Sequence, residues 1–257
     1  MEQFVYVGNS WAAQSFDPLA PGESPNLGMI STRVTNLAKE WEIPHQNISR
    51  AGTSNLNRID AFYNQNIRKP VIWIYGEPTL DLTIITKLTN KEFIQRADWK
   101  DIWNECNQHC LSAIDSLGVP VLLIGGHSDI VNCKYNNITI GYPSWQKWIA
   151  SKAGLFVDTN KISINKNSEF SIDLCWGAEV IHRFMHQSPN IKPSSDLIDS
   201  CWNMLFFWKK LIEAELFYQV HPNYRCTELF AEYLKPTVEK FLQDTTEQTN
   251  YLNKTRI

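Results

Sequence analysis

Phe4-Val5-Tyr6-Val7-Gly8-Asn9-Ser10-Trp11 decides how this chain is read. Four apolar or aromatic residues in a row, stopped by glycine, predict a short strand buried on both faces and then a tight turn. Such a strand belongs inside a sheet that is covered on both sides. The turn that ends it carries Ser10. Near the other end of the chain stands His221-Pro222-Asn223. If the intervening sheet is parallel, a serine at the tip of the first strand and a histidine in the last loop can meet at one end of it. A serine beside a histidine is a possible nucleophile–base pair.

Reading outward from the first strand, residues 28–41 place apolar side chains at helical spacing, and residues 46–49 form a short strand candidate. Ser54 or Asn55 is a candidate cap for a helix over 56–66, with Leu56, Ile59 and Phe62 on one face. Val71-Ile72-Trp73-Ile74-Tyr75 is the next strand, ended by Gly76-Glu77-Pro78. A long helix over 91–117 stops at Gly118, and Val121-Leu122-Leu123-Ile124 follows, ended by Gly125-Gly126-His127. This alternation predicts an α/β fold of three layers, a flavodoxin-like parallel sheet with helices on both sides. Gly8, Gly76 and Gly125 stand at strand ends, where open α/β sheets bind their ligands.

The second half gives weaker signals. Helices are expected over 144–153, 176–186 and 196–217, a short strand over 155–157, and a last helix over 226–242 kinked at Pro236. The expected organisation is one α/β domain over residues 1–242, with a helical insertion at about 131–215. Residues 243–257 read as a polar, frayed tail.

Composition narrows the function classes. The 257 residues are 43% hydrophobic with a net charge of −3, and no basic stripe marks a nucleic-acid surface. The apolar runs are far shorter than a membrane span. No basic and apolar leader precedes the first strand, so a cytoplasmic location is expected. The six cysteines lack the spacing of a disulfide framework and read as reduced, buried thiols. The 10 Trp, 9 Tyr and 12 Phe are read mostly as core, with a few left to line a groove for flat ligands such as sugar rings. His182 and His186 share a helical face, but Arg183 stands where a zinc protease needs glutamate. Cys106, His109 and Cys110 have no second ligand pair, so no metal site is expected. Gly125-Gly126-His127-Ser128-Asp129 carries a histidine, a serine and an aspartate in a row, whose diverging side chains cannot form a triad.

Four segments, in order, resemble the blocks of the SGNH (GDSL-type) hydrolases. Gly8-Asn9-Ser10 is similar to their GDS block, and Gly52 matches the glycine of their second block. Gly76-Glu77-Pro78-Thr79 stands where their GxND block belongs, and Tyr218-Gln219-Val220-His221 where their DxxH block belongs. The Trp after the serine and the run Gly52-Thr53-Ser54-Asn55 look like phage or bacterial members, and a phage origin would allow a place in the virion. No G-x-S-x-G elbow is present, which argues against an α/β-hydrolase.

The resemblance implies a serine esterase or deacetylase that hydrolyses a small acyl ester, with a carbohydrate as one candidate carrier, and it requires no cofactor. Ser10 would be the nucleophile and His221 the general base, and the N–H groups of Ser10 and Gly52 would face the oxyanion. Three positions depart from the pattern. The aspartate before the serine is Asn9 here, a mild change. The asparagine that donates to the oxyanion falls on Pro78, which has no donor, and the acid that orients the histidine falls on Tyr218. Asn55, Glu77 and Asp129 are the substitutes considered, Asn55 first. The alternatives are a catalytically weakened domain of this type that binds a glycan or a protein, and an unrelated flavodoxin-like or nucleotide-binding α/β protein.

Overall fold

The computed structural model describes residues 3–13, 36–89, 99–126, 130, 134–153, 157–158, 161–165, 168–170, 211, 213–218 and 221–255. Strands β1 (Phe4–Gly8), β2 (His45–Asn47), β3 (Val71–Tyr75), β4 (Val121–Gly125) and β5 (Ile138–Tyr142) make one 5-stranded sheet. Its order is β2-β1-β3-β4-β5, and every neighbouring pair is parallel. The chain winds one way from β1 to β2 and the other way from β3 to β5. The winding reverses between β1 and β3, and there the carboxyl ends of an open sheet leave a crevice.

β1, β3 and β4 are buried along their whole length. Their side chains alternate between two cores. Phe4, Tyr6, Ile72, Ile74, Leu122 and Ile124 face one, and Val5, Val7, Trp73, Tyr75 and Leu123 face the other. Helices α1 (Ser10–Ala13) and α2 (Leu37–Glu40) contribute to the first core. Helix α3 (Asn55–Asn64), α4 (Leu82–Thr89) and α5 (Trp99–Asp115) contribute to the second. A 3₁₀ turn over Pro78–Asp81 leads from β3 into α4. Helix α6 (Trp145–Lys152) also joins the first core, capped by Ser144, whose Oγ accepts the Lys147 N–H.

The remainder departs from the sequence reading. Residues 131–215 are not simply a helical insertion, because β5 in this range is the fifth strand of the main sheet. Its pattern is hard to read. It is an edge strand, mostly not buried, and Gly141 interrupts it. A Cβ at Gly141 would come within 2.9 Å of the Leu122 side chain, beside a register shift in the β4 ladder. Strands β6 (Val157–Asp158), β7 (Lys161–Asn165) and β8 (Ser168–Phe170) form a small antiparallel sheet. The helices expected over 176–186 and over most of 196–217 lie outside the described residues. Phe217 itself starts β9 (Phe217–Tyr218), which pairs antiparallel with β10 (His221–Pro222).

The last helix, α7 (Tyr224–Thr255), runs through Pro236 and continues through the stretch expected to fray. Side chains reinforce that extension. The Thr245 and Thr246 hydroxyls both donate to the Leu242 carbonyl, and the Gln243 amide donates to Glu247 one turn on. Helix α7 lies along α2, where the buried Trp41 donates its indole N–H to the Ala231 carbonyl at 2.9 Å. Trp41→Phe removes the indole donor to that carbonyl and leaves part of the buried ring volume empty. We expect a loss of about 1–3 kcal/mol in urea unfolding, with no change in the unfolding slope.

Candidate active site

Ser10 opens α1 directly beyond β1, at the β1/β3 crevice. Asn9 caps this short helix. Its Oδ1 accepts the Trp11 N–H at 3.1 Å, and its carbonyl accepts the Ala12 and Ala13 N–H groups. Trp11 is buried and packs edge-on against Trp145 of α6, with ring centroids 5.5 Å apart. Trp145 stacks on Phe230 of α7 at 4.8 Å. One aromatic core therefore holds the serine turn and the helix that follows the histidine.

His221 is placed by the hairpin before α7. Asn223 caps that helix: its Oδ1 accepts the Cys226 N–H at 2.9 Å, and its own N–H donates to the Leu216 carbonyl at 3.1 Å. These bonds close the β9–β10 hairpin and set β10 against α1. His221 Nε2 lies 3.0 Å from Ser10 Oγ, across 211 residues of sequence. With the imidazole proton on Nδ1, the serine hydroxyl donates to Nε2. Both residues are only partly buried. Burial lowers the His221 pKa from 6.5 to about 4, so the imidazole is neutral at pH 7 and able to accept a proton. Backbone register sets Tyr218 directly opposite His221.

The other predicted site residues are placed differently. Gly52 sits in an exposed turn with φ +70°, and the chain before it follows β1, with the Arg50 N–H donating to the Gly8 carbonyl at 3.1 Å. Glu77 is fully buried, and its charge bears on the Tyr75 hydroxyl and on the Cys106 thiol of α5, toward the second core. Asn55, the favoured partner for the histidine, is engaged elsewhere. Its Oδ1 accepts the Gly76 N–H at 3.0 Å and the Trp73 indole N–H at 3.3 Å, and its Nδ2 donates to the Gly76 carbonyl at 3.1 Å. The side chain thus acts as a short strand partner for β3 beyond its last ladder bond. Asp129 lies outside the described residues.

Two residues matter here that the sequence reading did not place in the site. Asp81, at the end of the 3₁₀ turn, accepts the Asn55 and Leu56 N–H groups at 3.1 and 3.2 Å, and the Cys110 thiol donates to it at 3.3 Å. It anchors the start of α3 and so fixes Asn55. Burial pushes its carboxyl up to about 6, against the opposing pull of those bonds and of Ser54. The only sequence signal for it is an aspartate between two leucines. The second is Asn9, which looked like a mild replacement for an aspartate.

Gly8 and Gly76, two of the strand-end glycines, sit in close packing within the protein. A Cβ at Gly8 would collide with the Ala12 side chain and stand 2.9 Å from the Ile74 carbonyl. A cavity of about 620 Å³, lined in part by Pro120, Asn137, Lys240 and Asp244, opens at the amino ends of β4 and β5. That is the opposite end of the sheet from Ser10. Cys106 and Cys110 are buried free thiols, and burial raises the pKa of both. Among the described residues no group of three or more His, Cys, Asp or Glu side chains is arranged to hold a metal ion.

Comparison of the chain with protein-family models, with curated proteins and with solved structures gave no match.

A lowered histidine pKa has a defined consequence. Between about pH 6.5 and 4 the unfolded chain binds a proton at His221 that the folded chain refuses. The contribution of neutral His221 to stability is therefore complete above pH 6.5 and is lost as pH falls toward 4. By NMR, the His221 ring is expected to titrate near pH 4. Titration at the ordinary value would show that the imidazole is well solvated.

Proposed function

We propose that this chain is a serine hydrolase of the SGNH type, an esterase or deacetylase acting on a small acyl ester, with an O-acylated carbohydrate as the leading substrate class. The observation that carries the reading is the 3.0 Å approach of Ser10 Oγ to His221 Nε2 at the crevice end of the sheet. The chemistry follows from the two groups. Ser10 Oγ attacks the acyl carbonyl carbon while its proton passes to His221 Nε2. The tetrahedral intermediate collapses, the bond to the alcohol oxygen breaks, and His221 returns the proton to the departing alkoxide. Water then attacks the acyl-serine with the same histidine as base. The carboxylic acid leaves and the Ser10 hydroxyl is restored. A neutral, partly desolvated imidazole suits the first step. Burial disfavours the imidazolium that forms next, so some other group must offset that cost.

A second reading rests on Pro78. It is buried, it opens the 3₁₀ turn, and it supplies neither a side-chain donor nor an N–H. A domain that lost its oxyanion donor would bind a glycan or protein without turning it over.

Hydrolysis of p-nitrophenyl acetate separates the two. Wild type is expected to turn over, and Ser10→Ala and His221→Ala to lower kcat by about 10³-fold or more with the fold intact. Turnover that survives Ser10→Ala would place the chemistry elsewhere. No turnover by folded wild type would favour the binding module.

A further inference from the structure

We propose that the side-chain amide of Asn9 is the oxyanion donor of this site, in the role that Pro78 cannot fill. The inference rests on the hydrolase reading of Ser10 and His221 and adds a catalytic residue to it.

Asn9 precedes the nucleophile and is only 5% exposed. Its amide orientation is determined by chemistry. Oδ1 receives the Trp11 N–H, and a backbone N–H can only donate, so the oxygen faces α1 and Nδ2 faces away from it. Nδ2 lies against the carboxyl end of β3, 2.7 Å from where a Cβ on Gly76 would stand. Gly76 must therefore lack a side chain for the amide to occupy that place. Asn55 holds Gly76 through both its N–H and its carbonyl, which sets the far wall of the crevice.

Among the described residues Asn9 Nδ2 donates no hydrogen bond, and it is not one of the buried side-chain atoms left without a partner, so this nitrogen keeps an accessible face although the residue as a whole is only 5% exposed. It is therefore open to an acceptor that arrives with the substrate. Negative charge develops on the carbonyl oxygen next to Ser10 Oγ only as the tetrahedral intermediate forms. A preorganised donor in a partly desolvated crevice stabilises that charge strongly. The Ser10 N–H, as the first of α1, has no acceptor within the helix and is the natural second donor. The rivals are worse placed: Gly52 lies in an exposed turn, and both amide atoms of Asn55 are already engaged. The departures at positions 9 and 78 then form a pair, a donor gained beside the serine and a donor lost after β3.

The test is the hydrolysis of p-nitrophenyl acetate by wild type, Asn9→Asp and Asn9→Ser, with thermal unfolding of each. Aspartate and serine both cap helices, so both variants can still accept the Trp11 N–H. Aspartate puts an anion where the donor was, and serine is too short to reach the crevice. Both are expected to lower kcat by about 10²-fold or more, with KM changed by less than about threefold and Tm close to wild type. Asn9→Ser carries no charge and decides the matter if Asn9→Asp fails to fold. If kcat of the folded variants stays within about threefold of wild type, while Ser10→Ala abolishes turnover, the donor role is overturned and the hydrolase reading stands. If wild type shows no Ser10-dependent turnover, both fall together, and that result appears before any Asn9 variant is compared.

Discussion

The structure depends on β1 being sandwiched between two parallel neighbours and buried on both faces. No residue of Phe4–Gly8 is exposed, and the strand pairs with β2 on one edge and β3 on the other. A strand in that position cannot shift by one residue without moving every side chain into the opposite core. Its end is therefore fixed, and so is the turn that carries Asn9 and Ser10. The reversal of winding between β1 and β3 then puts that turn at the switch point of the sheet, where open α/β sheets bind their ligands.

The histidine is held by a different device. The segment before it is tied by Asn223 and by the buried Leu211 and Leu216, and the segment after it is α7, whose Phe230 packs on Trp145 and Trp148. Trp11, one residue after Ser10, packs on the same Trp145. Two chain segments 211 residues apart are thus registered through one aromatic core, which explains how so short a contact is maintained by loops. Beneath the crevice, a buried polar relay from Asp81 through Asn55 to Gly76 fixes the opposite wall. These groups are nearly inaccessible to water and satisfied by one another, as a structural role for buried polar groups requires.

Much of this was legible in the sequence, for identifiable reasons. β1, β3 and β4 are continuous apolar runs ended by glycine, and burial on both faces writes that pattern directly. Ser54 announced α3 by its capping chemistry, and its Oγ accepts the Asn57 N–H. β5 was hidden because an edge strand obeys no full apolar run and contains Gly141. The continuation of α7 was hidden because polar residues bonding to neighbours one turn away resemble a solvated tail. Asn55 was misjudged because sequence order shows that it is near the site but not which backbone its amide engages. Its partners, Gly76 and Trp73, lie 21 and 18 residues away and become neighbours only through the sheet.

The central claim is that the Ser10 hydroxyl, set against His221, is a working nucleophile. Intact-protein and peptide mass spectrometry after exposure to a fluorophosphonate tests it most directly. The account predicts one adduct per chain, on the peptide carrying Ser10, lost in His221→Ala. A folded protein that stays unmodified while a known serine esterase labels fully under the same conditions, or an adduct on another residue, would contradict it.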